Sequence, residues 1–116
     1  GSQRKVPLVG CSLWAAKQAL AASSSHYLFP KYCNNRGCNS NSASAALNKW
    51  LKQLTGPEYV LHSLRHSIRD RLRAVGCPSD MIDQIGGWST SKVGEGYGDG
   101  YTLDLLNQNL TAAVCV

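Results

Sequence analysis

Apolar residues recur three and four positions apart in several stretches of this chain, and glycine, serine or proline closes each stretch. That pattern predicts a mainly helical fold. The clearest helix covers residues 62–75, where Leu64, Ile68, Leu72 and Val75 form a buried stripe and Gly76 is placed as the C-terminal cap. Another, over 42–54, sets Ala46, Leu47, Trp50, Leu51 and Leu54 on one face and stops at Gly56-Pro57. Ser12 is expected to cap a helix over 13–22, with Leu13, Ala16, Lys17 and Leu20 on one face and Trp14 nearby. Ser79 is expected to cap a short helix through Ile85, with Met81, Ile82 and Ile85 inward, before Gly86-Gly87 breaks the chain. The last helix, 103–114, carries Leu103, Leu106, Leu110 and Ala113 or Val114, a stripe that can pack on its own core or against a neighbour.

Between these helices the chain reads differently. Residues 3–9 are expected to be extended, since Pro7 bars a central strand or a helix interior. Residues 29–41 are rich in turn formers and read as a surface loop. From Gly94 to Gly100 every second residue is glycine, which weakens any helix there. The length of 116 residues fits one domain over 3–116. Gly1-Ser2 reads as an expression scar, so the chain is expected to be a piece of a longer protein. No apolar run approaches the roughly 18 residues that a membrane span needs.

Charge is placed unevenly. Residues 1–57 carry seven cations and no acid, while all seven acids fall in 58–116, leaving a net charge of +5. A long stretch without a carboxylate makes a positive field suited to DNA or RNA, although solubility alone accounts for it equally well. The five cysteines (Cys11, Cys33, Cys38, Cys77 and Cys115) contain no CxxC pair. Cys33, Cys38 and His26 lack a fourth ligand at metal-binding spacing, so no metal site is expected and the thiols are taken as free in a reducing cytoplasm.

The chemistry concentrates after residue 60. His62, Arg65 and Arg69 stand three and four apart and share one helix face. A guanidinium there can grip two phosphate oxygens, and an imidazole one turn earlier can accept or donate a proton. Alone, His-x-x-Arg is very weak evidence, and an ordinary solvated face with Asp70 and Arg73 nearby is the better reading. Here it is followed by the Gly76 turn, by Gly87-Trp88, and by Tyr97 nine residues after Trp88. This arrangement resembles the C-terminal catalytic part of the tyrosine recombinases, or phage-type integrases, and the opening Arg-Lys-Val-Pro-Leu looks like the strand end after that family's lysine hairpin.

The resemblance implies a mainly α fold with a short β remnant at the N-terminus. It implies site-specific DNA cleavage and rejoining through a 3′-phosphotyrosine, with Tyr97 as nucleophile and Arg65, His62 and Trp88 on the phosphate. Trp88 stands where most members have His, and its indole N–H is a donor only. Tyr101 is a competing nucleophile, four residues too far on. His66 would be structural support. Arg69, Lys92 and, in the 29–41 loop, Lys31 and Arg36 are candidate contacts to the DNA backbone, although for the loop pair solvation accounts for the charges equally well and that loop matches no motif of the family. The implied partners are double-stranded DNA and further copies in a recombination tetramer, with no cofactor, metal, membrane or small-molecule substrate. The implied setting is the cytoplasm of a bacterium, near its nucleoid, with a bacterial or phage gene. The family's first arginine and its lysine would lie upstream, so this piece alone is expected to be inert or nearly so. Ile85-Gly86-Gly87-Trp88 departs from the family pattern by a glycine in place of a bulky residue. A non-catalytic DNA-binding or assembly module and a type IB topoisomerase-like enzyme are the alternatives.

Overall fold

The computed structural model describes residues 3–88 and 100–114. Among these, α1 spans Gly10–Ala22, α2 Ser40–Thr55, α3 Leu61–Ala74, α4 Ser79–Gly86 and α5 Leu103–Val114. A 3₁₀ turn at Pro30–Tyr32 leads into β1 (Cys33–Asn34), which pairs antiparallel with β2 (Gly37–Cys38). The chain is thus mainly helical, and its small sheet is this hairpin. Residues 3–9 lack regular structure, because an extended segment becomes a strand only beside a ladder partner and none is found among the described residues. The chain groups into two compact units, Gly1–Leu13 with Arg65–Val116, and Trp14–Leu64.

In the first unit the core consists of Leu72, Cys77, Met81, Ile82, Ile85, Leu106, Leu110 and Ala113, flanked by Val9, Ile68, Trp88 and Tyr101. The apolar stripe of α5 therefore packs on its own core. Leu72 has no exposed surface, whereas Val75 and Leu103 remain exposed at the margins of their stripes. α3 stops where the sequence predicts. Gly76 takes φ 77, its N–H donates to the Arg73 carbonyl, and the Cys77 N–H donates to the Leu72 carbonyl.

Three helix starts differ from expectation. α2 begins at Ser40, two residues before the expected 42. α4 has Pro78 at its N-cap with no side-chain cap, so Ser79 is already helical; proline supplies a fixed φ and no N–H that would need a partner. α1 begins at Gly10, because the Ser12 hydroxyl ties back to Val9, donating to its carbonyl at 2.7 Å and accepting its N–H at 3.1 Å. α5 is capped by Thr102, whose Oγ1 accepts the Leu105 N–H at 3.3 Å.

In the second unit α2 starts from Asn39, whose Oδ1 accepts the Ser42 N–H at 3.0 Å. Of its expected buried face only Leu51 is buried; Ala46 and Leu47 are exposed, and Trp50 and Leu54 retain 55% and 65% of their surface. Leu64, at 57%, behaves likewise. Helical spacing shows which residues share a face, and burial needs a second element laid over it. Residues 29–41, expected as a surface loop, are mostly exposed but hold the 3₁₀ turn, the hairpin and the first two residues of α2, and Cys33 and Cys38 are not free. Strand pairing sets them opposite each other and they form a disulfide. Among the described residues Cys11 and Cys77 are the free thiols.

Two measurements check this core. Leu110→Ala should cost about 2–5 kcal/mol in urea unfolding and Leu103→Ala less than about 1 kcal/mol, since only the first leaves a cavity. Burial, and then the charge of Asp80, push the Cys77 thiol up from its ordinary value. The folded protein therefore holds that proton more tightly than the unfolded chain. The associated stability is full at neutral pH and is lost as pH rises through the raised thiol range. Native alkylation at pH 8 should mark Cys11 and leave Cys77 unmodified until denaturant is added.

Candidate active site

α4 ends in a turn built by two glycines with separate roles. Gly87 takes φ 71, in the left-handed region, and its N–H and that of Trp88 both donate to the Asp83 carbonyl. The turn folds Trp88 back over the helix end. A Cβ on Gly86 would fall 1.7 Å from Cζ3 and 1.9 Å from Cε3 of the indole. Residue 86 is therefore bare so that the ring can lie against its backbone.

The ring meets α3. Arg65 and Arg69, four residues apart on one face, bring their guanidinium carbons 4.1 and 4.2 Å from Trp88 ring centroids. All three side chains are half-buried. Such cation–π contacts are worth about 0.5–1 kcal/mol at exposed sites and more when water is excluded. The electron-rich ring offsets part of the repulsion between the two cations. A guanidinium held by its face keeps its in-plane N–H groups available, which is the geometry that grips phosphate. The ion pair found among the described residues is Arg73 with Asp70 at 3.9 Å, exposed on both sides. No described carboxylate ties up Arg65 or Arg69.

His62 lies on the first turn of α3, exposed, three residues before Arg65. The start of that helix is fixed by two side chains. Asn48 Oδ1 accepts the Leu61 N–H at 2.7 Å, and Ser63 Oγ accepts the Val60 N–H at 3.1 Å. His66 is also exposed. Lys31 and Arg36 belong to the 3₁₀ turn and hairpin of the second unit; Lys31 Nζ is 5.7 Å from the Tyr32 ring centroid, and the Arg36 N–H donates to Asn34 Oδ1 at 2.8 Å. Lys92 and Tyr97 lie outside the described residues.

Tyr101 is committed elsewhere. Its hydroxyl donates to Asp80 Oδ1 at 2.9 Å, its N–H donates to Gln84 Oε1 at 2.9 Å, and Gln84 Nε2 donates to its carbonyl at 3.1 Å. Sequence reasoning missed Asp80 and Gln84, and it missed Arg4, whose guanidinium reaches the Gly87 turn. Helical spacing alone would have set Asp80 and Gln84 on one face of α4; nothing local points to Arg4. Among the described residues no cluster of His, Cys, Asp or Glu has metal-site geometry.

A scan against family models matches the Phage integrase family over residues 1–100. The chain belongs to that family, the tyrosine recombinases, which act on DNA in site-specific recombination. Comparison with curated proteins and with solved structures found no match. Among the described residues no helix is long and apolar enough to cross a membrane.

Gly86→Ala should destabilise the protein by about 1–3 kcal/mol, the usual cost of forcing atoms into filled space, and should shift Trp88 emission. Unchanged melting and unchanged emission would show that the ring does not lie on residue 86.

Proposed function

We propose that Arg65 holds a DNA phosphodiester for attack by Tyr97, with His62 and Trp88 beside it, in strand cleavage and rejoining at a specific site. The observation that carries this reading is the Arg65 guanidinium at 4.1 Å from Trp88, two motif residues brought together from α3 and from the turn after α4 in a chain of this family.

A free phenol has a pKa of about 10, so about one in a thousand is ionised at pH 7, a penalty of roughly 4 kcal/mol. Cations and donors gathered on the phosphate offset that penalty by stabilising the negative charge of the pentavalent transition state. The phenol oxygen forms a bond to phosphorus as the bond to the 5′-oxygen breaks. A 3′-phosphotyrosine and a free 5′-hydroxyl result. The ester keeps the bond energy, so the reverse attack reseals the strand without a nucleotide cofactor. His62 takes the phenol proton and returns it. Stacking gives Trp88 a role beyond an N–H donor, since the ring orients the arginine that grips phosphate.

The engagement of Tyr101 with Asp80 and Gln84 supports Tyr97 as the nucleophile. The substrate is double-stranded DNA, with Arg69, Lys31, Arg36 and Lys92 on its backbone and a tetramer as the recombining assembly.

In the longer recombinase that the resemblance implies, Tyr97→Phe should abolish the covalent complex trapped on a nicked substrate while leaving DNA affinity within about twofold, since one neutral hydroxyl adds no counterion release. Arg65→Ala should slow cleavage by about 10²–10³-fold, as removal of one transition-state donor does. Undiminished cleavage by Tyr97→Phe would remove Tyr97 from this role. Binding without cleavage by the unmodified protein would favour the non-catalytic DNA-binding reading.

A further inference from the structure

We propose that Arg4 is a positioning residue for the candidate active site, holding the Gly87 turn and, through Trp88, the orientation of the Arg65 guanidinium. This rests on the role given to Arg65 above.

Three contacts carry it. First, Arg4 Nε donates to the Ile85 carbonyl at 2.9 Å, across 81 positions of sequence. That carbonyl belongs to the last turn of α4, where helix carbonyls lack intrahelical donors and a cation is favoured by the helix dipole. Second, the same guanidinium lies against Gly87. A Cβ there would meet Arg4 Nη1 at 2.5 Å and Cζ at 2.6 Å. The backbone of the turn is thus covered by the planar group itself. Third, the next residue is Trp88, whose ring lies over Gly86 and meets Arg65 and Arg69. A displacement of the Gly87 peptide moves the indole, and the indole is the surface on which Arg65 rests.

The chemistry of the contact calls for arginine. Lysine can donate to the Ile85 carbonyl but has no flat surface to lay on Gly87, and methionine keeps the stem without a donor. Residues 3–9 form no regular element, and Val9 at their end packs against the core. Arg4 therefore ties an otherwise irregular segment to the end of α4 at the point where Trp88 leaves it.

The test separates position from phosphate contact. The chain has three tryptophans, so Trp14→Phe with Trp50→Phe leaves Trp88 as the sole indole reporter. In that background Arg4→Ala should raise acrylamide quenching of Trp88, and Arg4→Lys should bring it part of the way back. In the longer recombinase, Arg4→Ala should slow covalent trapping by about 10–100-fold, the scale expected when a catalytic group is misplaced by about 1 Å. The slope of log affinity against log salt should stay unchanged, whereas loss of a direct phosphate contact lowers it by about one. Should Arg4→Ala fail to fold, Arg4→Met is read in its place. Wild-type quenching of Trp88 in the variant overturns the proposal, as does a reduced salt slope with quenching unchanged. If the unmodified recombinase does not cleave, the catalytic reading of the site fails, and the quenching result still decides what Arg4 does to Trp88.

Discussion

The indole of Trp88 and any side chain at residue 86 compete for one space, and the rest of the site follows from how that competition is settled. With glycine at 86 the ring folds onto the end of α4 and turns toward α3. There it meets Arg65 and Arg69, cations spaced one helical turn apart. The ring gives the two guanidinium groups an aromatic surface on which to stack.

The first unit supports this corner with ordinary means. α3, α4 and α5 share one apolar core, centred on Leu72 and Leu106, so α3, which carries Arg65, and α4, which Trp88 closely follows, are fixed to each other by packing. Just before α5, Tyr101 returns to α4 through Asp80 and Gln84. Trp88 and Tyr101, on either side of residues 89–99, are thus both held by α4. Attack by Tyr101 would break hydrogen bonds that join the start of α5 to α4.

The second unit shows what amphipathic spacing leaves open. α2 has its apolar residues at helical intervals, yet Trp50 and Leu54 keep most of their surface and Leu51 alone is buried. Its contribution near the motif is polar. Asn48 supplies an acceptor to the Leu61 N–H in the first turn of α3, where N–H groups have no intrahelical partner, one residue before His62. The disulfide between Cys33 and Cys38 closes a short hairpin, and so small a loop restricts the unfolded chain only modestly. Its local effect is to define the shape of the segment carrying Arg36.

Much of this was legible from residue order. The stripe of α3, the Gly76 cap, the inward Met81, Ile82 and Ile85, and the full extent of α5 all follow from interactions within a few residues, which periodicity and glycine placement encode directly. The shared face of Arg65 and Arg69 is legible for the same reason. The capping of α4 by Pro78 and the early start of α1 were not, since proline and serine each fit more than one position at a helix end. Long-range partners left no mark at all: Arg4 on the Ile85 carbonyl, the Tyr101 hydroxyl on Asp80, and the indole over Gly86 each join groups whose meeting depends on how helices pack. Local order fixed the helices and the candidate phosphate grip; only tertiary packing decided which aromatic ring that grip would rest on, because a side chain's neighbours in space are set by the whole core.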